Sequence, residues 1–199
     1  MQAARGASLN SSDPDHLPPR TPRRTRCLLL FGLVGSLAYG ADLLTKTLAV
    51  ARLSDGSRVR LVGDLLTLEL VRNPGAAFST ATGHTWLLSL LAIAAACGVL
   101  WVARRLGSLA WAATLGFLVA GILGNLTDRV FRSPGFLRGH VVDFLRLPHW
   151  PIFNVADMCI NVAAVLIVLL VLRGVTVSGA PAASGAARDP RGDTAGDTT

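Results

Sequence analysis

Four apolar runs, each long enough to cross a bilayer, decide what this chain can fold into. A spanning helix needs about 20 predominantly apolar residues. Hydrocarbon offers the backbone no hydrogen-bond partners, so such a run satisfies its own polar groups by becoming a helix. The runs fall at about 27–50, 86–102, 109–126 and 153–172. Of the 199 residues, 51% are hydrophobic and only 16% are charged, which sets the chain apart from soluble domains. The first run is too long for the apolar region of a signal peptide and leads to no cleavage pattern followed by a soluble domain. The predicted fold class is therefore an α-helical integral membrane protein with four transmembrane helices. Residues 1–26 are rich in Arg, Pro, Ser and Asp, and residues 174–199 in Gly, Ala, Pro and Asp. Both compositions predict disordered tails around a membrane domain at 27–173.

The net charge of +7 raises nucleic acid as a partner. The arginines stand scattered at segment ends and form no basic face, so that reading fails. They report topology instead. Arg23, Arg24 and Arg26 precede the first run, Arg104 and Arg105 join the second to the third, and Arg173 follows the fourth. In a four-helix alternation all of these lie on one side, which the positive-inside rule makes cytoplasmic, together with both tails. The opposite loops also carry arginines, from Arg52 to Arg146, so the assignment rests on the short flanking clusters. Cys27, Cys97 and Cys159 lie in apolar runs, with no metal spacing and no disulfide framework.

Residues 51–85 do not span. Arg58 to Arg72 holds short apolar runs on either side of Gly63-Asp64, which predicts two strands joined by a turn. Asn73-Pro-Gly-Ala-Ala-Phe78 follows with turn dipeptides. Together they predict a small extracytoplasmic β-flap, or cradle, between helices one and two, lying on the membrane surface.

Polar residues inside or beside the apolar runs mark candidate chemistry, since a charge at the centre of a spanning helix costs roughly 2.5–3.5 kcal/mol on insertion scales. Asp42 and Lys46 lie four apart in helix one and share a face. They fit either an anchoring pair whose lysine snorkels to the interface, or a support for a nearby site. Asn125, Asp128 and Arg129 share a face at the end of helix three. Asn154 and Asp157 stand at the start of helix four, and Asp143 lies before it in an apolar stretch. Pro148 and Pro151 interrupt the chain between the two aspartates, so the loop folds Asp143 back towards the mouth of helix four. Polar glue between helices accounts for any one of these residues. Their convergence at one membrane face points to a site.

The sequence offers neither a nucleophile elbow nor a His-Glu-x-x-His motif, and the four histidines are dispersed. Two carboxylates remain. Two acids held close share one proton, because both cannot ionise cheaply at short range. The ionised one accepts a proton from water and the protonated one polarises a carbonyl, which is aspartic peptidase chemistry. A transporter or proton channel would spread its acids through bilayer depth, and a scaffold would have no use for paired acids.

Five ordered motifs, Asp42 with Lys46, Asn73-Pro-Gly-Ala-Ala-Phe78, Gly124-Asn-Leu-Thr-Asp-Arg129, Val141-Val-Asp-Phe144 and Phe153-Asn-Val-Ala-Asp157, resemble those of the bacterial lipoprotein signal peptidases, signal peptidase II. The resemblance covers roughly 29–172. It implies an inner-membrane aspartic endopeptidase that needs neither metal nor cofactor. Its substrate would be a prolipoprotein whose cysteine carries diacylglycerol, cut just before that cysteine. Asp143 and Asp157 would be the catalytic pair. Asn73 would contact substrate from the flap, and Asn125, Arg129 and Asn154 would line the site. Asp42, Lys46 and Asp128 would support it. Membrane lipid would be the other partner, with the enzyme acting as a monomer.

Overall fold

The computed structural model describes residues 22–75 and 85–179. Four helices, α1 (Pro22–Leu53), α2 (Thr85–Ala103), α3 (Leu109–Phe131) and α4 (Val155–Leu172), are each long and apolar enough to cross a membrane. Three strands, β1 (Arg58–Val62), β2 (Leu66–Asn73) and β3 (Val141–Arg146), form one small sheet. The four-helix membrane architecture is the one the apolar runs predict.

α3 is the central helix. Of its most apolar stretch 56% is buried, against 17–22% for the other three, so α1, α2 and α4 pack around it. Small residues allow that approach. Gly116 lies against Phe31 and Val34 of α1, and a Cβ on Gly121 would stand 2.5 Å from the Ala156 carbonyl of α4. Val99, Trp111, Leu115, Val119 and Leu170 fill the space between helices. Leu33, Leu37, Leu91 and Val165 point outward, as apolar residues can where the surrounding solvent is hydrocarbon.

The element boundaries differ from the expected ones in three places. α1 begins at Pro22 rather than 27, because the basic stretch Arg23–Arg26 winds as helix, for which arginine has high propensity. At about 1.5 Å per residue its 32 residues exceed the ~30 Å hydrocarbon core, so α1 reaches into both interfaces. α3 runs on to Phe131, past the expected end at 126, and carries its polar end group as regular helix. Residues 174–179, expected as tail, pack against the loop between α2 and α3. The Trp111 indole donates to the Val175 carbonyl at 2.8 Å, and the Gly107 and Ser108 amides donate to Val177 O at 2.9 and 3.2 Å. These bonds satisfy amides at the start of α3 that have no partner within the helix. The rest of both expected tails, 1–21 and 180–199, lies outside the described residues.

The sheet corrects the expected two-stranded flap. β1 and β2 do form an antiparallel hairpin, turning at Gly63 with φ +48°. A third strand, β3, joins from the connection between α3 and α4 and pairs antiparallel with β2, placing Asn73 opposite Val141 and Val71 opposite Asp143. The Val-Val-Asp-Phe stretch, expected as loop, is this buried strand. Val142 and Phe144 pack with Ala49 and Leu53 of α1, so the sheet is fastened to the C-terminal end of the first helix. After β3 the chain doubles back and Phe153 bridges to Leu145, which brings the start of α4 beside Asp143. Residues 76–84, including Phe78 of the expected flap tip, lie outside the described residues.

Candidate active site

The end of α3, the start of α4, β3 and the C-terminal half of α1 meet in one place. The start of α4 is set by its cap. Asn154 lies extended just before the helix, and its side-chain oxygen accepts from Asp157 N at 3.0 Å, while Asp157 Oδ2 accepts from Asn154 N at 3.2 Å. This reciprocal box satisfies two amides that the helix itself cannot. It also leaves the Asn154 side-chain nitrogen to donate to Asp143 Oδ1 at 2.6 Å and to Asn125 Oδ1 at 3.2 Å. One residue thus bonds both carboxylates.

Each carboxylate has a further amide partner. Asn73, at the end of β2, donates to Asp143 Oδ2 at 2.9 Å. Asn125, from α3, donates to Asp157 Oδ1 at 2.8 Å. The orientation of Asn125 follows from its other contact. Its oxygen faces Lys46 Nζ at 3.1 Å, and an ammonium can only donate, so its nitrogen must face Asp157.

Asp143 is 2% exposed. Burial pushes its carboxyl up to about 6, the Asn73 hydrogen bond opposes this, and the negative charge of Asp157 adds to the rise.

Lys46 does not snorkel. It is fully buried, because three acceptors converge on its ammonium: Asp42 Oδ2 at 2.8 Å, Asp128 Oδ2 at 3.0 Å and Asn125 Oδ1 at 3.1 Å. The contact with Asn125 is a hydrogen bond, and those with the two carboxylates are ion pairs. The two carboxylates holding Lys46 also hold backbone. Asp42 Oδ1 accepts from Ala156 N at 2.8 Å, and Asp128 Oδ2 accepts from Val142 N at 3.1 Å. Asp128 is further paired with Arg132 through Oδ1. Gly124 makes room for this packing, since a Cβ there would lie 2.4 Å from Asp42 Oδ2.

Arg129 feels Asp143, Asp128 and Asp157 electrostatically, and its Nη1 is buried with no hydrogen-bond partner among the described residues. Gly75, with φ +110° in a turn held by its own amide donating to Asn73 Oδ1 at 2.8 Å, lies directly over this guanidinium. A Cβ on Gly75 would be 3.7 Å from Nη1 and 2.4 Å from Leu88. The structure thus brings together Asp42, Lys46, Asn73, Asn125, Asp128, Arg129, Asp143, Asn154 and Asp157. Sequence reasoning missed Arg132, although its spacing four residues beyond Asp128 was a usable signal. It also missed the two backbone amides, for which no sequence signal exists. Among the described residues no group of three or more His, Cys, Asp or Glu is placed to hold a metal ion.

Comparison with known proteins bears on this arrangement. The family model described as signal peptidase (SPase) II matches residues 34–173. A lipoprotein signal peptidase of Rhodococcus jostii (strain RHA1) is 50% identical over 171 residues, covering 85% of this chain and 86% of that protein. One from Mycobacterium avium (strain 104) is 50% identical over 155 residues, covering 78% and 84%. A solved bacterial membrane enzyme, determined by the in meso method at 2.3 Å, superposes with a TM-score of 0.63 at 26% identity, covering 71% of this chain and 86% of that one. A match over most of the chain, by model and by relatives half identical to it, shows that this multi-pass membrane protein belongs to the signal peptidase II family of proteases.

Proposed function

We propose that this lipoprotein signal peptidase cuts diacylglyceryl-modified prolipoproteins just before the lipidated cysteine, with Asp143 and Asp157 as its catalytic pair. The observation that carries this reading is Asn154, which bonds both carboxylates. Charge balance supports it. Asp42, Asp128, Asp143 and Asp157 face Lys46, Arg129 and Arg132, so one proton on the pair leaves the group neutral. Asp143, buried and pushed up to about 6, is the natural holder of that proton. Asp157, at a helix N-terminus and bonded by N–H donors on both oxygens, is the ionised partner.

In the reaction Asp157 takes a proton from water as the oxygen attacks the scissile carbonyl, and Asp143 passes its proton to the carbonyl oxygen. As the tetrahedral intermediate collapses, the proton on Asp157 goes to the departing amine of the cysteine, and Asp143 regains one from the hydroxyl that becomes carbonyl. Asn73 and Arg129 line the space where substrate backbone would lie. The flanking arginines place the tails in the cytoplasm and the site at the outer interface of the cell membrane. Lipid anchors in the outer leaflet would hold the bond at the depth of the acids, which reduces the work of positioning. One chain holds every group of the site, so a monomer suffices.

The test is release of signal peptide from a diacylglyceryl-prolipoprotein in detergent. Asp143→Asn and Asp157→Asn should each lower kcat by about two to three decades, as expected for loss of acid–base function. The double variant should be little worse, because the pair acts as a unit. Strong chelators should leave the rate unchanged, and the unlipidated precursor should be cut far more slowly. Near wild-type cleavage by a folded single variant would refute the pair.

A further inference from the structure

We propose that Lys46 is a positioning residue for the catalytic pair, a clamp through which Asp42 and Asp128 hold the two backbone amides that immediately precede the catalytic aspartates. This rests on the assignment of Asp143 and Asp157 made above.

The geometry is symmetrical in its logic. Asp128 Oδ2 accepts from Val142 N at 3.1 Å, one residue before Asp143. Asp42 Oδ1 accepts from Ala156 N at 2.8 Å, one residue before Asp157. β3 and the start of α4 belong to different elements, and the acids that hold them come from α3 and α1. Among the described residues only Lys46 pairs with both of those acids, at 3.0 and 2.8 Å. Its ammonium also donates to Asn125 Oδ1, and the nitrogen of that amide holds Asp157 itself. The ammonium touches neither catalytic carboxylate, so its action on them is indirect. Asp42, Lys46 and Asp128 are each no more than 1% exposed, and no water competes for these bonds. A point charge with three protons suits three convergent acceptors, whereas a planar guanidinium does not.

The clamp fixes where the two carboxylates stand relative to each other. That separation decides whether they share a proton and whether a water fits between them. A misplacement of about 1 Å costs on the order of 100-fold in rate. The ammonium charge also acts on Asp143 in the direction that favours ionisation.

The experiment measures kcat, KM and pH–rate profiles in detergent for the intact enzyme, Lys46→Met and Lys46→Arg, with thermal melts to establish folding. Positioning predicts that Lys46→Met loses roughly 10- to 100-fold in kcat with little change in KM, and that Lys46→Arg does not restore the rate. The pH at which activity declines as the shared proton leaves should also move upward, because the cation that favoured ionisation is gone. A structural role alone would lower the melting temperature and leave that pH in place.

A second comparison keeps Lys46 and holds even if Lys46→Met fails to fold. Asp128 uses the single oxygen Oδ2 for both Lys46 and Val142, so asparagine can keep both bonds. Asp42 uses separate oxygens for Lys46 and Ala156, so asparagine must lose one. Asp42→Asn should therefore lower kcat at least about tenfold more than Asp128→Asn does. Equal kcat in these two, or wild-type kcat in folded Lys46→Met while Asp143→Asn and Asp157→Asn are inactive, overturns the clamp alone. Activity in the Asp143→Asn and Asp157→Asn variants overturns the catalytic assignment and, with it, the premise of the clamp.

Discussion

Asn154 reaches Asp143 with its side-chain nitrogen at 2.6 Å while its side-chain oxygen caps the helix that begins beside it. One asparagine therefore ties a buried strand of the small sheet to the start of a membrane helix. The tie crosses from sheet to bundle at the point where the proposed chemistry occurs, so stability and activity meet in the same few hydrogen bonds. The predictions below separate the two.

The protonation of Asp143 should be visible in stability. Its carboxyl lies at about 6 in the folded protein against an ordinary value near 3.8. Between roughly pH 4 and pH 6 the folded state keeps a proton that the unfolded chain has already released, so stability falls as pH rises through that window and levels off above it. The difference is worth on the order of 3 kcal/mol, at 1.36 kcal/mol per pKa unit. Melts in detergent across pH 4 to 7.5 should show this decline in the parent protein and its absence in Asp143→Asn. An unchanged pH slope in the variant would place the titration elsewhere.

Gly124 should tolerate no side chain. An alanine Cβ would stand 2.4 Å from Asp42 Oδ2 and 3.0 Å from the Ala156 Cβ, so α1 or α4 must move. Overpacking of this kind costs about 1–3 kcal/mol. Gly124→Ala should lower the melting temperature and also the rate, since both shifted elements carry site residues. The control is Gly98→Ala, because a Cβ there meets nothing within 4 Å. Similar behaviour in the two variants would contradict the packing.

Asn73 joins sheet to site from the opposite side. Its nitrogen holds Asp143, and its oxygen accepts the Gly75 amide that shapes the turn over Arg129. Asn73→Ala should lower kcat and raise KM together while the protein stays inserted and folded. Asn73→Asp keeps the turn acceptor but sets a carboxylate against Asp143, and should be the more damaging at pH 7.5. Wild-type kinetics in Asn73→Ala would remove the strand end from the site.

Topology is testable with two exposed positions. Asp64 at the hairpin tip is 93% exposed, and Arg104 is exposed in the loop between α2 and α3. In a Cys97→Ala background, a membrane-impermeant thiol reagent added outside intact cells should label Asp64→Cys and spare Arg104→Cys. Permeabilised cells should give label at both. The opposite pattern in intact cells would invert the bundle.

The helices were legible in the sequence because membrane insertion is decided by local hydropathy. The grouping of Asn125, Asp128 and Arg129 was legible because helical spacing is local too. Strand β3 was not. Its residues Val141 to Arg146 show no clean alternation, since both faces are covered at Val142 and Asp143, and its partner β2 lies some 70 residues earlier. The burial of Lys46 was hidden for the same reason. Within α1 alone a lysine four residues from an aspartate reads as a surface pair, and only α3, with Asn125 79 residues away, turns it inward. The capping box at Asn154 and Asp157 is legible too, from their spacing of three at the start of an apolar run.

The short path from Gly139 to Asp143 works as a spacer of fixed length. Gly139 is pressed against the end of α3: its amide donates to the Arg129 carbonyl at 2.9 Å, and a Cβ would strike the Asp128 carbonyl at 2.3 Å. At the other end Val142 is held by Asp128, and Val71 of β2 stands opposite Asp143. Successive strand residues face opposite ways, so one residue added to this path would turn Asp143 out of the site while all four helices remained in the bilayer. The four steps after Gly139 thus set the aim of Asp143.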